Sequence, residues 1–268
     1  MGVKKLFINS LISLFLLFLT TGLFGQEEVM SVYHDVINID DDIVPTRQNL
    51  DEISSVDVSQ FWINNPNERR FGFIGENYQR LRLKFLSIEK DPSNPLRYSI
   101  RGKSKVAKNI NSFTGDFIIK NSFYYKPLEY PEGDSGILVG EYHLKEDSTE
   151  AHSGEFKGLF ATYWYKDSTG VIQYNNRGDV SALYCNNQFL GKWISYSKPL
   201  TLVANWGDSR IPQSGGMDIG TSEFAPADWL MDKGWESFRV LLGGRATDEE
   251  VEAAVKEESE KWWLSKSD

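Results

Sequence analysis

In FKGLFATYWY, Phe156 to Tyr165, the large apolar side chains Phe156, Phe160 and Trp164 stand at even positions, and Lys157, Tyr163 and Tyr165 stand at odd ones. Period two is the repeat of an extended strand, whose successive side chains point to opposite faces. The same alternation runs from about Phe71 to Trp206. Leu81, Leu83 and Phe85 alternate with Arg82 and Lys84; Tyr98, Ile100 and Val106 share a parity, as do Phe113, Phe117, Ile119 and Phe123, and then Leu138, Tyr142 and Leu144. Shorter runs follow at VIQY, VSALY, FLGKWISY and LTLVANW. The intervals DPSNP, AKNIN, KPLEYPEGDSG, EDSTEAHSG, KDSTG and SKP are rich in turn formers. Such short connections favour antiparallel hairpins, because parallel neighbours need long crossovers. The expected fold is mainly β: an antiparallel meander of roughly eight to ten strands that closes into a β-barrel or folds as a tight β-sandwich, with a short C-terminal helix.

Three segments place a glycine between two aromatics at strand spacing: FTGDF (Phe113 to Phe117), FKGLF (Phe156 to Phe160) and FLGKW (Phe189 to Trp193). The glycine lets a strand coil sharply and leaves a gap that a neighbouring ring can cover. Two readings follow for the rings. They fill the core at barrel bends, or some of them line an internal pocket for a small apolar or planar ligand. For the second reading the candidate ligand-binding residues are Phe117, Tyr142, Phe160, Trp164 and Trp193. A third reading concerns the opposite parity, where Tyr124, Tyr125, Tyr163 and Tyr165 would form an outer stacking platform for glycans.

The chain opens MGVKKLFINSLISLFLLFLTTGLFGQ, a cationic start, an apolar run broken by Asn9, Ser10 and Ser13, and a small-residue exit at Gly25. That order reads as a signal peptide over residues 1–25, so the expected product is exported to the periplasm or beyond, without a transmembrane helix after cleavage. The formal charge is 29 − 38 = −9, and 27 − 38 = −11 without residues 1–25, with no basic run. This excludes a nucleic-acid partner as an expectation. Residues 26–60 read as a lead-in carrying an extra strand or held loosely, 61–206 as the β domain, and 207–268 as an irregular and helical appendage. In the last, Thr247-Asp248-Glu249-Glu250 is a capping box, and Val251, Ala254, Val255 and Trp262 share a helical face that would pack Trp262 or Trp263 onto the barrel.

Reactive chemistry is thinly represented. The single cysteine, Cys185, lies in the apolar SALYC and reads as a small buried hydrophobe. His34, His143 and His152 lack any metal-ligand spacing, and Asp40-Asp41-Asp42 lacks the glycine and spaced oxygens of a calcium loop. No metal, cofactor or catalytic residue is therefore expected. Gly133-Asp134-Ser135-Gly136 resembles the nucleophile loop of trypsin-like proteases in form, and Gly207-Asp208-Ser209 resembles the GDS of GDSL hydrolases; both read here as turn or strand-end residues. Arg177-Gly178-Asp179 reads as a hairpin turn. Glu141 and Glu155 are the strand carboxylates that a glycoside hydrolase would have to bring together.

Gly191-Lys192-Trp193 resembles the G-x-W of lipocalins, in the calycin group of ligand-binding barrels, although in lipocalins the motif sits in the first strand. More broadly, FGFIGENYQR (71–80), KDPSNP (90–95), RGKSKV (101–106), NNQFLGKW (186–193), NWGDSRIP (205–212), GWESF (234–238) and EKWW (260–263) resemble uncharacterised exported β-rich proteins of Gram-negative bacteria. The first resemblance implies a small antiparallel barrel. The second implies an exported β-rich chain and assigns no site.

Overall fold

Each alternating stretch becomes a strand, and the turn chemistry between them is visible in side-chain bonds: Asp91 Oδ1 accepts from the amides of Ser93 and Asn94, reversing the chain after DP. The computed structural model describes residues 45–63, 69–125, 134–177, 184–243 and 246–264. The strands are β1 (Pro45–Gln48), β2 (Arg70–Ile74), β3 (Gln79–Lys90), β4 (Arg97–Val106), β5 (Asn109–Tyr125), β6 (Ser135–Glu146), β7 (Gly154–Lys166), β8 (Ile172–Tyr174), β9 (Asn186–Ser195) and β10 (Thr201–Asp208). Helices are α1 (Leu50–Ser55), α2 (Glu236–Leu241) and α3 (Asp248–Ser259).

Strands β2, β3, β4, β5, β6, β7, β9 and β10 pair antiparallel in that order, and β10 returns to β2 from Ala204↔Ile74 to Asp208↔Arg70. The meander therefore closes into an eight-stranded barrel; it is not a sandwich. Closure removes the exposed edges that an open sheet would carry. Two strands lie off the ring. β1 continues along β5 beyond the end of β4, and β8 flanks the end of β7, so the wall is taller on that side.

One sequence expectation fails inside β5. The register shifts between Ile119 and Asn121, and this bulge flips the parity. Ser122 and Tyr124 then face the interior opposite Leu138 and Gly136, while Phe123 joins Ile137 on the outer face. Phe123 is buried there all the same.

The barrel has one sealed end. Residues 49–63 fold α1 and a 3₁₀ turn (Ser59–Phe61) across it and push Trp62 inside, where it meets Tyr98, Phe117 and Phe160 edge-on at 5.1, 5.3 and 5.6 Å. The indole Nε1 donates to Thr162, which donates to Asn187; Asn187 donates to Asp208, and Arg70 links Asp208 back to the Trp62 carbonyl. This circuit pairs most of the polar groups that closure of the end buries, Arg70 Nη1 being left without a partner among the described residues. The Val58 amide also donates to Tyr98 Oη, whose pKa burial pushes up to about 12. Behind Trp62, Phe189 lies between Phe160 and Trp206, stacked at 5.6 and 5.0 Å.

The appendage forms a second core against the outer face of β2. Phe71 and Phe73, at outward parity, pack with Met217, Phe224, Trp235 and Phe238. The capping box on α3 forms as expected. The expected apolar face is used only in part: Ala254 and Trp262 are buried, but Val251 and Val255 are exposed, at 38% and 51%. α3 is held by Glu258, which accepts from both terminal guanidinium nitrogens of Arg80 and from Arg82, and by the buried Trp262. Trp263 lies under the Lys84 ammonium at 4.8 Å.

Candidate functional site

Opposite the Trp62 plug, the hairpins β2–β3, β4–β5, β6–β7 and β9–β10 converge on the other barrel end, and there the interior is not filled. A cavity of about 290 Å³ remains, walled by Ile74, Val106, Phe156, Trp193, Leu200 and Leu202, with Asn77, Gln79, Ser104, Asn109, Asn111, Glu146 and His152 supplying polar atoms. Its size falls at the lower edge of the roughly 300–1,000 Å³ of small-molecule sites.

The local sequence explains the wall. Leu144 and Glu146 on β6 share inward parity, so the strand that carries Tyr142 into the core delivers a carboxylate at its end. Glu146 is only 6% exposed. Its Oε1 accepts from the Ser104 hydroxyl; its Oε2 accepts from the Gly154 amide at 2.8 Å and from Trp193 Nε1 at 2.9 Å. Gly154 makes this possible, because a Cβ there would stand 2.5 Å from the Trp193 ring. The FLGKW tryptophan is thereby fixed as both wall and hydrogen-bond donor.

The other ring candidates lie deeper. Phe117, Phe160 and Tyr142 belong to the ring stack of the barrel centre, where Phe117 and Phe160 meet at 5.3 Å and Tyr142 meets Trp206 at 4.9 Å. Trp164 sits at the plugged end against Tyr124, 5.1 Å away, and donates to Ser122. Of the five, Trp193 alone lines the mouth cavity. Tyr142 Oη rests over the paired glycines Gly158 and Gly191, one from FKGLF and one from FLGKW, and finds no hydrogen-bond partner among the described residues. Complete burial raises its pKa well above the usual tyrosine value.

Glu146, Ser104 and Gly154 were not among the sequence candidates. The signal for Glu146 was present, since it continues the parity of Leu138, Tyr142 and Leu144.

The tyrosine platform does not form. The β5 bulge turns Tyr124 into the interior, at 5% exposure; Tyr125 stays on the outer face with Phe123 and is buried there to 7% exposure, which pushes its pKa up to about 12. Tyr163 packs edge-on against Tyr125 at 5.9 Å, and Tyr165 is covered by the Arg177 guanidinium at 4.3 Å. A shallower outer groove of about 540 Å³ does exist on β3–β6, lined by Glu89, Arg101, Asp116, His143 and Lys145 among others, without a phenylalanine, tyrosine or tryptophan ring.

The strand carboxylates both project outward and are engaged by bases. Glu141 meets Lys120 at 3.0 Å; Glu155 meets Lys157 at 2.5 Å and His143 at 2.7 Å. Burial opposes the charged form of Glu155, but the bonds from Lys157 and His143 hold its pKa below the usual value. Ser135 is fully buried in β6 and accepts from Arg177, and Asp208 is committed to Arg70. Cys185 is half-buried rather than enclosed. Among the described residues no three acidic, histidine or cysteine side chains group as a metal site, and no helix is long and apolar enough to cross a membrane. Residues 1–25, His34, Asp40 to Asp42, Gly133 and Gly178-Asp179 lie outside the described residues. Comparison with family models, with curated proteins and with solved structures finds no match for this chain.

Proposed function

We propose that this protein is an exported, non-enzymatic binding module that takes a small molecule with an apolar body at the open mouth of its barrel. One observation carries the reading: the barrel is ring-filled at its centre and plugged by Trp62 at one end, yet retains a cavity of about 290 Å³ at the other. Barrel mouths suit such ligands because they offer apolar walls with a few fixed polar groups. Export rests on the order of charge and hydropathy in residues 1–25.

Native mass spectrometry of the protein purified from its own host tests the reading. The expected result is a retained small-molecule adduct that disappears in Leu202→Trp, whose larger side chain occupies the cavity. A homogeneous unliganded mass, together with no thermal shift across a library of small apolar and amphipathic compounds, would overturn it.

A further inference from the structure

The mouth cavity contains a buried carboxylate without a counter-charge. Among the described residues no lysine, arginine or histidine nitrogen lies within 4.0 Å of Glu146; the cavity wall contains no lysine or arginine, and its one basic side chain is the exposed His152 at the rim. Buried charges in proteins are normally paired. Glu146 is instead held by three neutral donors, the Ser104 hydroxyl, the Gly154 amide and the Trp193 indole. A carboxylate has about four acceptor positions, so this scaffold orients the group and leaves one position on Oε1 open. Phe156 and Trp193 line the same cavity. A carboxylate in a ring-walled cavity attracts an ammonium group by charge and a charge-assisted hydrogen bond, while the rings give its apolar body contact. The chain's formal charge of −9 adds long-range attraction for cations and repulsion for anions.

From these observations, and resting on the mouth as the binding site, we infer that the ligand is a small organic cation: a primary or methylated amine on an apolar body. Its nitrogen takes the open position of Glu146 against Phe156 and Trp193, and its body lies along Ile74, Val106 and Leu202.

Isothermal titration of the full chain with three probes of matched shape, 2-phenylethylamine, 2-phenylethanol and phenylacetate, tests the charge preference. The amine is expected to bind at least about tenfold more tightly than the alcohol, with the carboxylate weakest. Glu146→Gln is expected to bring amine and alcohol within about threefold of each other. Alcohol or carboxylate binding equal to amine binding would overturn the cation assignment and leave the mouth reading intact; so would an unaltered amine preference in Glu146→Gln. Failure of all three probes and of a series of linear and methylated alkylamines would overturn the cation assignment, the mouth reading being decided by the mass-spectrometric and thermal-shift outcome above. The probe series on the unsubstituted protein decides the question even where Glu146→Gln does not fold.

Discussion

Tyr142 shows how single residues set the geometry of this barrel. Its ring crosses the interior and ends over Gly158 and Gly191, which face each other on β7 and β9, so two strands have given up side chains to seat one. A methyl group added at Gly158 would collide with the Leu190 carbonyl and stand 2.8 Å from Tyr142 Oη. Gly158→Ala should therefore lower stability by about 2–3 kcal/mol, read from the urea midpoint, because backbone on one side and a packed ring on the other leave nowhere to relax. Glu258 sets a different limit. Burial opposes its charged form, but hydrogen bonds and charge from Arg80, the charge of Arg82 and the Ser237 hydroxyl bring its pKa down to about 2. A carboxylate depressed in the folded state contributes stability that is complete above its unfolded pKa and is lost as pH falls through the folded one. The window is thus from about pH 4.5 down to about 2, and the contribution at stake is at most about 3 kcal/mol. Urea midpoints measured between pH 7 and 2.5 should fall less steeply below pH 4.5 in Glu258→Gln than in the parent.

At the scale of elements, the segment carrying α1 and Trp62 closes one barrel end and leaves the other to a ligand. Trp62→Ala should cost about 3–5 kcal/mol, since it empties a site among Tyr98, Phe117 and Phe160 and strips Thr162 of a buried donor. Chemical denaturation with tryptophan emission would report both the loss and its size. That plug was poorly legible in the chain. The stretch from Leu50 to Trp62 has no long apolar repeat, and its meaning comes from the circuit Thr162–Asn187–Asp208–Arg70, whose members lie far apart in sequence. The strands were legible because alternation is local: β3, β4, β6 and β7 fall where parity places them. β5 was misread past Ile119 because a bulge inserts one residue without changing composition, which turned Tyr124 inward and Phe123 outward. α3 was read only in part: Ala254 and Trp262 are buried as its spacing suggested, but Val251 and Val255 are exposed and the ionic contact through Glu258 was not foreseen. In the cavity, Trp193 was reached through its glycine spacing, whereas Glu146 was passed over because an acid at the end of a strand ordinarily faces water.

For the molecule as a whole, the rings divide into two cores on either side of the barrel wall. Phe117, Phe160, Phe189 and Trp206 fill the inside, and Phe71, Phe224, Trp235 and Phe238 bind the appendage to the outside of β2. β2 is therefore shared by both, with Gly72 inward beside Trp206 and Phe71 and Phe73 outward. The same strand makes the ring's closing seam with β10. This joins the first barrel strand to the last, across more than a hundred residues, and so has a kinetic consequence. A chain growing from its N-terminus holds β2 with one flank unpaired until Thr201–Asp208 has been made, and every partner in between can form before the seam does. Pairings of such long range are slow to form, on the millisecond-to-second scale typical of all-β topologies. Throughout that interval the protein is an open sheet with two bare edges, and its greatest exposure to self-association belongs to its synthesis rather than to its finished state.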